Sequence, residues 1–205
     1  MKKIFKDALS LTLIAVILGV LLGTFHEITK EPIANQEKQT KTNALKNVLP
    51  GAERFEEIDI SDKKNEIQSS LKKDGMNAQI IDEVYKGVDR SGNFSGYAVT
   101  VTSQEGYGGD IQLTVSIADD HITNGISFLE LDETAGLGMN ADTDKFKEQF
   151  KGKKVDAFEY TKDGATSDDQ IDAISGATVT TNAVTNAVNA CIDVSGMLDK
   201  EGMKS

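Results

Sequence analysis

The chain has 205 residues, enough for one or two modest domains, and 39% of them are hydrophobic, which is enough for a folded core. It carries 22 Lys and Arg against 33 Asp and Glu, a formal charge of -11. Because phosphate binding needs a basic surface, this balance argues against nucleic acid as the partner. One cysteine and two histidines exclude a disulfide framework and leave little for a metal site, so we expect none.

An uncharged apolar segment occupies residues 8–25, directly after Lys2, Lys3 and Lys6. As a helix it would span about 27 Å, close to the hydrocarbon thickness of a bilayer. The lysines predict a cytoplasmic N-terminus by the positive-inside rule. A cleaved signal peptide is the alternative, but the segment is long for a signal core and lacks an A-x-A cleavage pattern. We therefore predict a single-pass anchor in the cell membrane.

The remainder divides into two predicted parts. After a cytoplasmic stub and transmembrane anchor over residues 1–26, we predict a helical connector over 27–52, closed by Pro50-Gly51. Residues 53–205 would form an extracytoplasmic domain, which begins with a short strand and then a helix or loop.

Alternating apolar residues predict two strands, over 97–102 and 111–117, and residues 122–131 are predicted to add a third. Turn signals at Asp119-Asp120 and Asn124-Gly125 and the short connections predict an antiparallel meander. Asp142-Thr143 can cap a short helix, residues 155–160 suggest another strand, and a helix with an apolar face begins near Thr178. The predicted fold is α+β, an antiparallel sheet flanked by helices, with one N-terminal transmembrane helix.

An acidic region extends from residue 91 to 144, where nine Asp and Glu occur without Lys or Arg. It is interpreted as a solvated surface, a cation site, or a surface that takes up a basic partner. This leaves open an anchored acidic binding module.

The segment that enters the last helix reads Asp172-Ala173-Ile174-Ser175-Gly176-Ala177-Thr178. Ser175 or Thr178 can cap the helix, and Gly176 permits an unusual backbone turn. Free N–H groups at such a start would stabilise an anion without any Lys or Arg. A plain capped helix start is the alternative.

This segment resembles the flavinylation motif of the FMN-binding domain family. The resemblance implies that Thr178 carries FMN through a phosphoester, made from FAD by a flavin transferase. It also implies that Asp172 and Ser175 organise the turn and its recognition by the transferase, and that Gly176 and Ala177 bring the backbone close to the phosphate.

A second motif supports the same family. Glu133, Thr134, Gly136, Leu137 and Gly138 resemble the E-T-P-G-L-G loop that lines the isoalloxazine ring, with Ala135 where proline is usual. The resemblance implies that these five residues contact the cofactor. The glycine-rich residues 106–109 resemble the turn before the family's central strand. Acidic surroundings would lower the reduction potential of the flavin by charge repulsion.

Within the family, the short length and single anchor resemble the G subunits of Rnf complexes, which are ion-translocating ferredoxin:NAD oxidoreductases. This implies an electron-transfer subunit with no substrate chemistry of its own and no catalytic residue. Its partners would be the other Rnf subunits, the lipid bilayer and, during maturation, a flavin transferase. Two flavoprotein alternatives stay open. One is the C subunit of the sodium-translocating NADH:quinone reductase, and the other is a stand-alone reductase. Stand-alone reductases usually carry a further domain or C-x-x-C-H haem sites, which counts against the second alternative.

Overall fold

A computed structural model describes residues 2–203, with side chains from Lys6 onward. The chain forms two compact units, Met1–Thr42 and Asn43–Ser205. The side chains of Lys2 and Lys3, which contribute to the predicted orientation, lie outside the described residues. The predicted division of the chain at residues 26 and 52 stays a prediction.

Helix α1 (Lys2–Val48) begins in the first unit and continues through Pro32. The predicted connector is therefore a continuation of the anchor helix, and it ends at Val48 because Pro50-Gly51 forms a turn. The apolar side chains of the first unit are exposed, among them Leu22 at 72% and Phe25 at 70%. Within the described residues, α1 is the helix whose length and composition allow it to cross a membrane, as expected of an anchor.

The second unit is built on one five-stranded sheet with the order β1-β2-β3-β4-β5. Every neighbouring pair is antiparallel, which confirms the predicted α+β class and the meander. The strands are β1 (Arg54–Ile58), β2 (Gln79–Val88), β3 (Phe94–Ser103), β4 (Ile111–Ala118) and β5 (Thr123–Leu131).

Two local details of the sheet differ from the sequence patterns. Strand β2 was not predicted, because a register shift between Ile81 and Glu83 interrupts its alternation. The turn signal at Asn124-Gly125 is wrong: both residues lie inside β5, where Gly125 has a φ of +128° beside another register shift. The chain reverses earlier, where His121 N donates to the Ala118 carbonyl at 2.9 Å.

Helices cover both faces of the sheet. Helix α4 (Thr178–Lys200) packs on β3 and β4 through a face of small and branched residues. Its fully buried members are Ala183, Val184, Ala187, Val188, Ala190, Cys191 and Val194. On the other face, the last turns of α1 bury Leu45 and Val48 against Ala98, together with Leu49, which follows the helix. This two-sided burial places the start of α4 at a fixed position beside the loops that follow β3 and β5.

The remaining elements are short. They are α2 (Lys64–Lys73), α3 (Asp144–Lys147), 3-10 turns at Ser61–Lys63, Gly138–Asp142 and Glu148–Phe150, and the parallel pair β6 (Glu159–Thr161) and β7 (Gln170–Asp172). The predicted strand at 155–160 thus begins later, at Glu159. Thr143 precedes α3 but does not cap it with its side chain, because its hydroxyl donates to the Asn140 carbonyl at 2.7 Å.

A half-buried carboxylate on α4 makes the stability of the fold dependent on pH. Burial, with the Asp74 charge adding to it, raises the pKa of Asp193, although Lys200 opposes the shift. A carboxyl whose folded pKa is raised stabilises the fold below its unfolded pKa, and that contribution is lost as pH rises through the folded pKa. Its ionised form is therefore unfavourable at neutral pH.

We expect Asp193→Asn to raise the Tm of the full chain in detergent by about 2 °C at pH 7 and to have no effect near pH 3. Thermal unfolding at the two pH values measures the difference. The exposed Asp163→Asn is the control and should change neither value. If Asp193→Asn lowered the Tm at pH 7, the ionised Asp193 would stabilise the fold, and the upward direction of its pKa shift would be contradicted.

Candidate functional site

The glycine-rich turn between β3 and β4 forms one side of the site. A Cβ on Gly106 would lie 2.1 Å from the Gly109 carbonyl oxygen, and one on Gly108 would lie 2.1 Å from that of Asp132. Glycine is therefore required at both positions for the backbone to pack this closely. Between them, Tyr107 N donates to Glu133 Oε1 at 2.8 Å, so the turn is joined to the loop after β5.

The loop after β5 folds into a tight turn that begins at Glu133. Leu137 N and Met139 N both donate to the Thr134 carbonyl, at 3.1 and 3.2 Å. Gly136 adopts a φ of +77°, a conformation that glycine takes without strain, and its carbonyl accepts from Asn140 Nδ2 at 3.0 Å. Leu137 is left 42% exposed at the tip of the turn.

The start of α4 forms the third part of the site. The residue that caps the helix is Ala177, not Ser175 or Thr178, and no side chain caps it. The turn is held from inside the helix instead: the Thr181 hydroxyl accepts from Ile174 N at 3.0 Å and donates to the Ala177 carbonyl at 2.9 Å. Gly176 has a φ of +76°, as the predicted unusual turn requires.

These three segments surround one cleft of about 550 Å³. It brings together seven residues predicted for the cofactor site, namely Glu133, Thr134, Leu137, Gly138, Gly176, Ala177 and Thr178. It adds three that were not predicted, namely Tyr107, Val179 and Thr180. Tyr107 was detectable as the aromatic residue of the glycine-rich turn, whereas Thr180 had no signal beyond its closeness to Thr178.

Three predicted residues do not line the cleft. The carboxylate of Asp172 accepts from Ala165 N at 2.5 Å, and its backbone N donates to Gln149 Oε1 at 2.7 Å, so it holds neighbouring loops together. Ser175 is exposed in the turn before α4. Gly136 is exposed in the loop after β5 and does not line the cleft. The cofactor roles predicted for these residues stay predictions, as do those of the seven that line the cleft.

The start of α4 offers hydrogen-bond donors to the cleft. Backbone bonding in the helix begins at Thr181 N, which donates to the Ala177 carbonyl at 3.0 Å. Within the described residues, the amides of Thr178, Val179 and Thr180 make no hydrogen bond to the protein. Together with the helix dipole, these amides favour an anion beside the Thr178 hydroxyl. None of the lining residues is Lys or Arg, so backbone donors alone would provide this attraction.

The residues present suit a flavin nucleotide. Tyr107, Leu137 and Val179 present apolar surface in the cleft, with exposed fractions of 75%, 42% and 49%. Apolar surface of this kind packs against a planar aromatic ring, while the amides at the start of α4 suit a phosphate. Thr180 Oγ1 is buried without a hydrogen-bond partner among the described residues, so the cleft also contains an unused polar group.

Comparison with known proteins links these segments to one family. A family model described as the FMN-binding domain matches residues 106–193, which include all three segments of the cleft, and another described as the RnfG N-terminal region matches residues 1–48.

Full-length relatives show the same relationship. The chain is 32% identical to the G subunit of the Na(+)-translocating ferredoxin:NAD(+) oxidoreductase complex of Acetobacterium woodii, over 97% of this chain and 95% of that protein. It is 33% identical to the G subunit of the ion-translocating oxidoreductase complex of Methanosarcina acetivorans, over 94% of each. Among solved structures, NqrC of Shewanella oneidensis matches 54% of each chain at 26% identity with a TM-score of 0.47.

Proposed function

Because this chain belongs to the family of G subunits of ion-translocating oxidoreductase complexes, we propose that it is a membrane-anchored electron-transfer subunit of an Rnf complex with covalently bound FMN. The observation that carries the proposal is the cleft, in which Thr178 at the start of α4 faces the loop 133–138. These two segments are 40 residues apart in sequence, taken from Gly138 to Thr178, and each resembles a flavin-binding motif on its own.

The proposed attachment is a phosphoester between FMN and Thr178 Oγ. In the reaction with FAD, the Thr178 oxygen would form a bond to the flavin-side phosphorus as the pyrophosphate bond breaks. AMP would be the leaving group, and the hydroxyl proton would be released. A flavin transferase would catalyse this step, with Asp172 and Ser175 contributing to its recognition of the turn. Amides of the first turn of α4 would then hold the negative phosphate.

The flavin, when bound, supplies the redox chemistry, and the chain positions it. Gly176 and Ala177 would let the backbone approach the phosphate, while Thr134, Leu137 and Gly138 would contact the ring and Gly136 would set the turn that carries them. Glu133 is oriented by Tyr107 N, and its negative charge would lower the reduction potential of a nearby flavin. No side chain of the cleft is required to make or break a bond in a substrate.

The anchor would keep the flavin beside the membrane. We propose that α1 crosses the bilayer with its N-terminus in the cytoplasm, so that the domain with the cleft lies outside. The proposed parts are the stub and anchor over 1–26, the connector over 27–52 and the FMN-binding domain over 53–205. The other subunits of the Rnf complex would be its electron-transfer partners.

The other interpretations of the sequence have less support. The FMN-binding domain match disfavours an acidic binding module without flavin. The relatives that match over nearly the full chain are named as G subunits, which favours the Rnf complex over the quinone reductase.

The proposal is tested by producing the full chain with and without a flavin transferase. We expect fluorescence under ultraviolet light on a denaturing gel only when the transferase is present, because only a covalently attached flavin stays on the chain after denaturation. A mass increase equal to one FMN phosphoester would identify the adduct. If the chain shows no fluorescence while the same transferase labels another substrate, the proposed covalent attachment of flavin to this chain is refuted.

A further inference from the structure

The hydroxyl of Thr180 is a buried side-chain group of the cleft that the fold itself leaves without a hydrogen bond. Thr180 is 1% exposed, and its Oγ1 has no hydrogen-bond partner among the described residues. A buried hydroxyl without a partner destabilises the folded chain, because it has lost its hydrogen bonds to water. Such a group therefore suggests a partner that the protein alone does not provide.

Neighbouring threonines of the same helix behave differently. The hydroxyls of Thr181 and Thr185 donate to the carbonyls four residues earlier, at 2.9 and 2.8 Å. Thr180 makes no such bond to Gly176, although that bond is the usual choice of a threonine inside a helix. Its oxygen is thus left without a partner in a residue that lines the cleft.

The hydroxyl of Thr180 lies next to Gly138 and to the carboxylate of Glu133. A Cβ on Gly138 would lie 2.7 Å from Thr180 Oγ1 and 2.6 Å from Glu133 Oε2, so both oxygens pack closely against this glycine. All three residues line the cleft. Since Glu133 Oε1 already accepts from Tyr107 N, the loop that carries the carboxylate is fixed in place.

We propose that Thr180 Oγ1 donates a hydrogen bond to an oxygen atom of the flavin nucleotide held in this cleft. The inference rests on the proposed function, but it assigns a role separate from that of Thr178: Thr178 carries the flavin, and Thr180 is a positioning residue. The flavin nucleotide offers several acceptor oxygens, and a hydroxyl without a partner can donate to any one of them.

The test compares Thr180→Val with Thr185→Val in the full chain in detergent, each produced with and without flavin transferase. Valine keeps the shape of threonine and removes only the hydroxyl. Because the Thr180 hydroxyl has no partner in the flavin-free chain, we expect Thr180→Val to leave the flavin-free Tm unchanged or higher. In the flavin-loaded form we expect its Tm to fall by about 3 °C. Thr180→Ser should restore the wild-type Tm of the loaded form.

Thr185→Val is the matched control, because Thr185 is buried but its hydroxyl is already bonded within α4. It should lower the Tm of both forms equally. The proposal is overturned if Thr180→Val lowers the Tm of the flavin-free and flavin-loaded forms by the same amount. It is also overturned if the flavin-loaded variant has the Tm of the flavin-loaded wild type. Absence of covalent flavin from the wild-type chain would instead refute the proposed function, and the two failures are thereby distinguished.

Discussion

Replacement of Thr178 by Val is expected to abolish covalent flavin completely, because valine has the shape of threonine but no oxygen to form the phosphoester. The full chain is produced with an active flavin transferase, and its fluorescence is measured on a denaturing gel. The expected result is no signal from Thr178→Val, and the fold should survive. Thr178 is only partly buried, so the Tm of the flavin-free variant should lie within about 2 °C of wild type.

The matched control for this prediction is Thr178→Ser, which keeps a hydroxyl at the same position. Serine should accept flavin, since the attacking oxygen is retained and only a methyl group is lost. If Thr178→Val were still fluorescent after denaturation, the attachment site would lie elsewhere, and the exposed Ser175 in the same turn would be the next position to replace.

Gly108→Ala is expected to have the largest effect on the cleft among changes that leave its side chains untouched. A Cβ at this position would lie 2.1 Å from the Asp132 carbonyl oxygen, a backbone atom that cannot rotate away. The glycine-rich turn would have to move from the end of β5, which would break the bond from Tyr107 N to Glu133. We expect the free energy of unfolding to fall by about 3 kcal/mol and flavin attachment to be reduced.

Gly109→Ala is the control because it adds the same methyl group one residue later. There the nearest heavy atom to a Cβ would be Asp132 Cβ at 3.9 Å, an ordinary contact. Chemical denaturation of the flavin-free chains in detergent measures both variants, and Gly109→Ala should change the free energy of unfolding by less than about 0.5 kcal/mol. Equal effects of the two variants would show that the close approach of the turn to β5 is unimportant.

The construction of the cleft would allow an acidic protein to hold the phosphate of the proposed cofactor. The chain has a net charge of -11, and no basic residue lines the cleft. The attraction would come from backbone amides at the start of a 23-residue helix. Those donors are fixed in position by the packing of α4 on the sheet, and they do not depend on the flexible side chain of a lysine or arginine. A covalent tether would add retention where electrostatic attraction is weak.

The sequence by itself determined those helices, strands and turns that produce a regular pattern over a few consecutive residues. The uncharged run over 8–25 identified the apolar helix, and period-two alternation identified β3 and β4, after which β5 was predicted as a third strand. The apolar face of α4 was readable from its helical spacing, and Gly176 from the turn that it permits. These patterns are reliable because one buried face imposes its period on consecutive residues.

Only the tertiary structure decided the features that depend on distant residues. Strand β2 was hidden because its register shift at Ile81 and Glu83 breaks the alternation, and pairing with β1 and β3 compensates for the break. No side chain caps the start of α4, and the turn before it is held by the hydroxyl of Thr181, which accepts from Ile174 N. This bond depends on the geometry of the whole turn and not on the residue at the capping position. The cleft itself is formed by three segments that are distant in sequence. That the Thr180 hydroxyl is buried without a hydrogen-bond partner could not be predicted either, because burial and hydrogen-bond partners are properties of the assembled fold.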